Sequence, residues 1–197
     1  MARWRRPPGA VRIPLVPVKL GSHRAAAESG PLALLRGCHA RIRSFASLSV
    51  RLFAEEAAPL ERAEAGRAVH RYFTVALPLH SDDEERSLAP LLQARIAATL
   101  ERMTREHREL EALVATLSPA WLAAGGGGEG DRLRPLRDAE RFAAAFEGHL
   151  GLEEAELFPA VEALGREPLD RVWLEMQLRR RPAEEAHIPV PPGPWQR

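Results

Sequence analysis

Apolar residues recur three or four positions apart through four stretches of this chain, the spacing that gathers side chains onto one face of an α-helix. The first stretch runs from Pro31, suited to a first helical turn, to before Pro59, with Leu35, His39, Ile42, Phe45 and Leu52 roughly along one face. The second, from about Ala63 to Ser87, carries Val69, Phe73, Leu77, His80, Glu84 and then Leu88. Pro78 lies inside it and predicts a bend just before His80, because proline lacks the N–H that the helix ladder uses. The third is the most regular: Ile96, Leu100, Met103, His107, Leu110, Val114 and Leu117 alternate gaps of four and three, with Ser118 and Pro119 expected to end the helix. The fourth spans roughly Pro135 to Leu164 and turns Phe142, Phe146, His149, Glu153, Leu157 and Leu164 inward. A short fifth helix is predicted from about Leu169 to Arg180; Arg179, Arg180 and Arg181 at its end suit either its C-terminal dipole or solvent.

Between and beyond these stretches the pattern is lost. Ala123 to Asp131, with GGGGEG, reads as a flexible connector, and no strand before it or Lys-Ser/Thr pair after it supports a phosphate loop. Residues 1–29 are rich in Pro and Arg and are expected to form a disordered arm. Arg3, Arg5, Arg6 and Arg12 there could touch an anionic surface, and a translation start nearer Val18 is the alternative. The expected organisation is one helical domain over residues 30–165, a C-terminal helix over 166–181 and a disordered tail over 182–197, in which His187 has no evident partner. His70, ten residues before His80, reads as a surface residue.

Composition narrows the class. A chain of 197 residues with 45% hydrophobic content suits one core, and its abundance of Ala, Leu, Glu and Arg with a single Tyr makes the fold all-α. Net charge is +1, with the two signs interspersed, which gives no case for nucleic acid. No apolar run approaches the roughly 18 residues of a membrane span. Pro7, Pro8, Pro14 and Pro17 interrupt any signal-peptide core, so a cytoplasmic protein is expected. Cys38, the only cysteine, cannot close an intramolecular disulfide, sits off the face of His39 and reads as a small packed hydrophobe.

The candidate chemistry comes from a repeat. HSDDEERSLAP, His80 to Pro90, and HLGLEEAELFP, His149 to Pro159, both place Glu four and five residues after His, Leu eight after and Pro ten after. Phe73 and Leu77 precede His80 by the same intervals at which Phe142 and Phe146 precede His149. Residues four apart on a helix are one turn apart on one face, so His80 with Glu84, and His149 with Glu153, can grip an ion. A lone pair of this kind would read as a surface contact; its duplication carries the signal. Each copy also has an isolated upstream histidine, His39 standing 41 residues before His80 and His107 standing 42 before His149.

In an up-down-up-down four-helix bundle, positions early in the first and third helices lie level with positions late in the second and fourth. That brings His39, His80, His107, His149, Glu84 and Glu153 together in an apolar core, which is costly unless a cation compensates them. Six ligands exceed the need of one tetrahedral zinc, and carboxylates from opposite helices can bridge two ions. A dinuclear site is expected, iron first, with manganese or zinc as substitutes.

With these residues the chain resembles the hemerythrin-like domains named for their His-His-Glu motifs, over about residues 30 to 165. The resemblance implies a four-helix bundle with a non-haem di-iron centre, bridged by Glu84 and Glu153 and completed by the four histidines. Oxygen-carrying hemerythrins have a further histidine on the third helix, where this chain has Met103 and Glu111. That departure weighs against reversible oxygen carriage and makes Glu111 a candidate extra ligand.

A His-rich centre carries less negative charge than one built on four carboxylates, which favours binding or sensing O2, NO or iron over oxidising a substrate. Phe73, Leu77, Phe142 and Phe146 are expected near the ligands, either as a dry pocket for a diatomic or as ordinary core. The enzymatic alternative is a di-iron oxidase, peroxidase or ferroxidase using an open metal position. A metal-free helical adaptor is the third class, and four buried histidines argue against it. No protein partner is legible.

Overall fold

The computed structural model describes residues 30–54, 56–126 and 129–185. The arm expected over residues 1–29, with its arginines, and His187 lie outside the described residues. Every regular element among the described residues is helical, as the periodicity requires. No helix among them is long and apolar enough to cross a membrane.

Helix α1 spans Pro31–Ala54, and α2 spans Pro59–Arg71, with Pro59 in its first turn. The second predicted helix therefore starts four residues earlier than Ala63, because proline's fixed φ and missing N–H suit a helix start. From there the chain stays helical through α3, Leu77–Asp82, and into α4, Ala89–Leu122. One break interrupts α4, at Ile96, whose φ of −135° and ψ of 40° are not helical. The second and third predicted helices thus meet at Ile96 without a loop, instead of parting near Ser87.

Three stretches of this path are wide π-helical turns: Tyr72–Ala76, Asp83–Leu88 and, later, Glu153–Leu157. Each ends two residues before a proline, Pro78, Pro90 or Pro159, which sits in the first turn of the next helix. Proline cannot donate to the ladder, and its ring crowds the carbonyl four residues back. Widening the turn accommodates it: Leu77, Ala89 and Phe158 donate their N–H groups to the carbonyls of Tyr72, Glu84 and Glu153, five residues back. The bend expected at Pro78 takes this form.

Pro119 does not end the third helix as expected; α4 runs on to Leu122 because Trp121 is anchored. Its ring is fully buried, and its indole N–H donates to Ser49 Oγ on α1 at 2.7 Å. Gly66 lets α2 approach here: a Cβ at that position would stand 2.0 Å from the Trp121 carbonyl oxygen.

After a 3-10 turn over Glu129–Arg132 come α5, Leu133–Leu152, α6, Phe158–Glu162, and α7, Arg166–Glu185. At 20 residues α7 is longer than the short helix expected, and it takes in residues 182–185 of the predicted tail. Burial of Val172 and Met176 explains why this segment docks and stays helical. Helix α5 packs on α1 and α4, α2 packs on α1 and α4, and α7 packs on the Asp83–Leu88 turn and α1.

The core falls into two apolar clusters. One is aromatic, with Phe45, Tyr72, Phe73, Trp121, Phe142 and Phe146; the other is mostly aliphatic, with Leu35, Leu88, Leu92, Leu100, Met103 and Met176. Along α1, α4 and the two repeat segments, the candidate ligands come between residues of one cluster and residues of the other. The polar groups form a layer between two dry ones.

Candidate metal centre

All six repeat-derived residues are buried: His39, His80, His107 and His149 are at most 4% exposed, and Glu84 and Glu153 are at 0%. They come together as the pattern predicts. His39, His80, Glu84 and Glu153 form one set of atoms close enough to hold an ion, and His107, His149 and Glu153 form another.

The two carboxylates divide their oxygens between the histidine pairs. Glu153 turns Oε2 toward His39 Nε2 at 3.1 Å and His80 Nε2 at 4.0 Å. Its Oε1 faces His149 Nε2 at 2.9 Å and His107 Nε2 at 3.5 Å. Glu84 presents Oε1 to His80 Nε2 at 3.5 Å and Oε2 to His107 Nε2 at 3.4 Å.

These approaches are not hydrogen bonds. The Nε2 atoms of His39, His80 and His107 and all four carboxylate oxygens are buried without a hydrogen-bond partner. Unpartnered nitrogens and oxygens converging in a core are costly as they stand, and a cation between them satisfies all of them at once. The residues present therefore fit a metal.

Sequence reasoning missed what holds the rings. His39 Nδ1 pairs with Glu154 at 2.8 Å, His107 Nδ1 with Glu85 at 2.7 Å and His149 Nδ1 with Glu106 at 3.0 Å. A carboxylate on Nδ1 fixes the tautomer that leaves Nε2 free to ligate, and it raises the basicity of the ring. The signal was in the repeat, since Glu85 and Glu154 are its second glutamates, and each serves the histidine of the other half. His80 is the exception, with neither ring nitrogen hydrogen-bonded.

Arg43 secures one of these carboxylates, donating to Glu154 at 2.8 Å and also to Glu147. Its hydrogen bond, followed by that from His39, holds Glu154 down at about 2. Burial keeps His80 at about 3, neutral and able to donate its lone pair. Burial would lower His107 too, but the close carboxylates of Glu153 and Glu84 outweigh it and raise His107 to about 11. Burial, then the charge of Glu153, pushes Glu84 well above the ordinary carboxylate range. Burial acts the same way on Glu153, but the imidazoles of His107, His149 and His39 prevail and hold it well below that range. Two buried carboxylates repel one another, and the centre compensates only one of them without a cation.

Other predicted positions differ. Glu111, the candidate extra ligand, is exposed and belongs to neither ion-holding set. It stands beside a cavity of about 250 Å³ lined by Phe73, Leu77, Leu110 and Phe146, with His80, His107 and His149 also on its wall. Phe73, Leu77 and Phe146 stand on the wall of this cavity and belong to the aromatic core as well, whereas Phe142 belongs to that core alone. Phe158 closes the other side, its ring 4.8 Å from that of His39. His70 is half-buried rather than on the surface, with Nδ1 2.7 Å from Ser118 Oγ. Cys38 is buried as expected and accepts a hydrogen bond from Arg41 at 3.3 Å.

Arg179 and Arg180 are neither solvated nor spent on the dipole of α7. Both grip Asp83, which is fully buried next to Glu84. Burial raises Asp83 above its ordinary range, and the two guanidinium groups oppose that rise.

A chain whose described elements are all helical, and which buries histidines and carboxylates in two ion-sized groups, is by class a metal-binding helical protein. The comparison with protein families agrees: the model for the hemerythrin HHE cation-binding domain matches residues 30–161, and the chain belongs to that family. No curated protein matches the chain.

Proposed function

We propose that this protein holds a non-haem di-iron centre and uses it to bind or sense a small ligand, O2 or NO. One observation carries the reading: Glu84 and Glu153 each direct one oxygen toward His80 and the other toward the opposite histidine pair, the placement of two bridging carboxylates. His39 and His80 would then complete one position, and His107 and His149 the other. Residues 30–165 form the up-down-up-down bundle in this reading, with α7 appended.

The iron pair would supply redox chemistry and an exchangeable coordination position. The chain supplies the rest. Glu85, Glu106 and Glu154 hold three rings with Nε2 facing inward. The aromatic cluster and Phe158 exclude bulk water, which strengthens electrostatic interactions inside. The cavity beside His80, His107 and His149 gives a ligand its approach.

That cavity also favours a second reading. Its volume of about 250 Å³ exceeds the roughly 150 Å³ that suffices for benzene, so a small organic substrate of an oxidase or peroxidase fits beside the centre. Filling it by Val114→Phe separates the two: diatomic binding survives if the ligand is O2 or NO, and organic turnover is lost if the protein is an oxidase.

The deciding experiment is metal content with an optical spectrum on protein expressed with iron and exposed to air. Two irons per chain with near-ultraviolet oxo-bridge absorption are expected. No metal, or one tightly held zinc, would overturn the di-iron reading.

A further inference from the structure

We infer that the C-terminal helix α7, which begins beyond the family-matched stretch, is part of the metal centre, with Arg179 and Arg180 positioning Glu84 through Asp83. The inference rests on the metal-centre reading above and adds residues to it.

Glu84 has no hydrogen bond of its own to fix it, since both carboxylate oxygens are buried without a partner. Its place depends on the backbone turn that carries it, Asp83–Leu88. This is the π-helical turn widened ahead of Pro90, a geometry that is rare in helices and frequent at functional sites. Arg179 spans it, one guanidinium nitrogen donating to Asp83 Oδ1 at its start and the other to Ser87 Oγ at 3.0 Å, four residues on. Arg180 takes the second oxygen of Asp83 and fixes its own side chain by donating to the Met176 carbonyl at 3.0 Å. Met176 and Val172 seat the helix in the aliphatic cluster, beside Leu88 of the same turn.

Neighbouring residues on a helix point about 100° apart, so Asp83 can face α7 while Glu84 faces the histidines. A buried carboxylate with two guanidinium partners tolerates little displacement, because any shift leaves a charge unpaired in the core. The turn is thereby locked, and Glu84 with it.

The second repeat shows that the clamp is specific to the first. Leu152 stands where Asp83 does, and Glu156 stands where Ser87 does, taking a hydrogen bond from Thr99 on α4 at 2.5 Å. Among the described residues no hydrogen bond or ion pair joins α7 to that turn.

The test uses the full-length chain, Co2+ as the probe and a competing chelator, with the visible absorption of the bound ion reporting its ligands. Arg179→Met with Arg180→Met is expected to weaken Co2+ binding by roughly 10–100-fold and to change the absorption of the bound ion, leaving helical content intact. Ser49→Ala is the control: it removes the hydrogen bond to the Trp121 indole in the aromatic cluster, lowers the thermal midpoint and leaves Co2+ affinity and spectrum as in the wild type. Ser87→Ala keeps every charge and removes one end of the Arg179 span, so a smaller shift in the same direction is expected even where the double variant does not fold. Unchanged Co2+ affinity and spectrum in the double variant and in Ser87→Ala would overturn the inference while leaving the metal centre standing. So would an equal loss of affinity in Ser49→Ala. A wild-type chain that binds no Co2+ would overturn the metal-centre reading and the inference with it.

Discussion

The two repeat segments begin as near copies and end in different company. Both enter a π-helical turn around the ligand glutamate, both relieve a proline two residues after that turn, and both send a second glutamate to a histidine of the other half. Glu153 then sits among the imidazoles of His39, His107 and His149, while Glu84 has longer approaches to two and depends on a turn clamped by α7. One copy is held from within the site and the other from outside it. A duplicated motif therefore does not make two equivalent ligands; what packs behind each copy decides how firmly its carboxylate is placed.

The largest effect should separate the two glutamates directly. Glu153 belongs to both ion-holding sets and makes the shorter approaches, so Glu153→Ala is expected to leave less metal per chain after dialysis than Glu84→Ala does. Equal losses of metal per chain would break the comparison. Metal removal comes next. Ligand present at about a thousand times its dissociation constant stabilises by roughly 4 kcal/mol, so chelation should lower the thermal midpoint by on the order of 10 °C. Amide exchange should then quicken more over residues 83–89 than over 153–158, since burial and Glu153 penalise an ionised Glu84.

Leu152→Ala probes the apolar support of the second turn. A cost of about 2–4 kcal/mol in stability is expected, with metal affinity nearly unchanged, by denaturant unfolding and chelator competition. Glu85→Gln and Glu154→Gln should each cost roughly 10–100-fold in metal affinity, about 1.4–2.7 kcal/mol, because each keeps a hydrogen bond to its ring and loses the charge. Similar losses in the two would sharpen the picture of reciprocal support, and a loss in only one would break it. Least affected is Glu111→Gln: exposed at the cavity wall, it should leave metal affinity within about twofold and alter only the rate at which a ligand enters.

Much of this was legible in the sequence. The spacing of Ile96 through Leu117 placed His107 inward, and the echo of HSDDEERSLAP in HLGLEEAELFP singled out His80, Glu84, His149 and Glu153. Helix ends were read less well. Pro119 and the stretch after Ser87 look like stops locally, yet Trp121 is anchored by Ser49 and the path from α3 into α4 stays helical through a widened turn. Two of the three glutamates on Nδ1, Glu85 and Glu154, were visible only as members of a doublet, because which of two adjacent carboxylates reaches a ring depends on the width of the turn beneath them; Glu106 stands outside the repeat and carried no such signal.

Local patterning by itself determined the helical class, the inward faces and the residue types at the centre, because helical periodicity and the cost of burying polar groups are properties of short segments. The pairing of Glu85 with His107, of Glu154 with His39 and of Asp83 with Arg179 and Arg180 spans from 22 to more than a hundred residues of chain. Such partners are chosen by which helix faces meet, and only the packed tertiary structure brings those faces together.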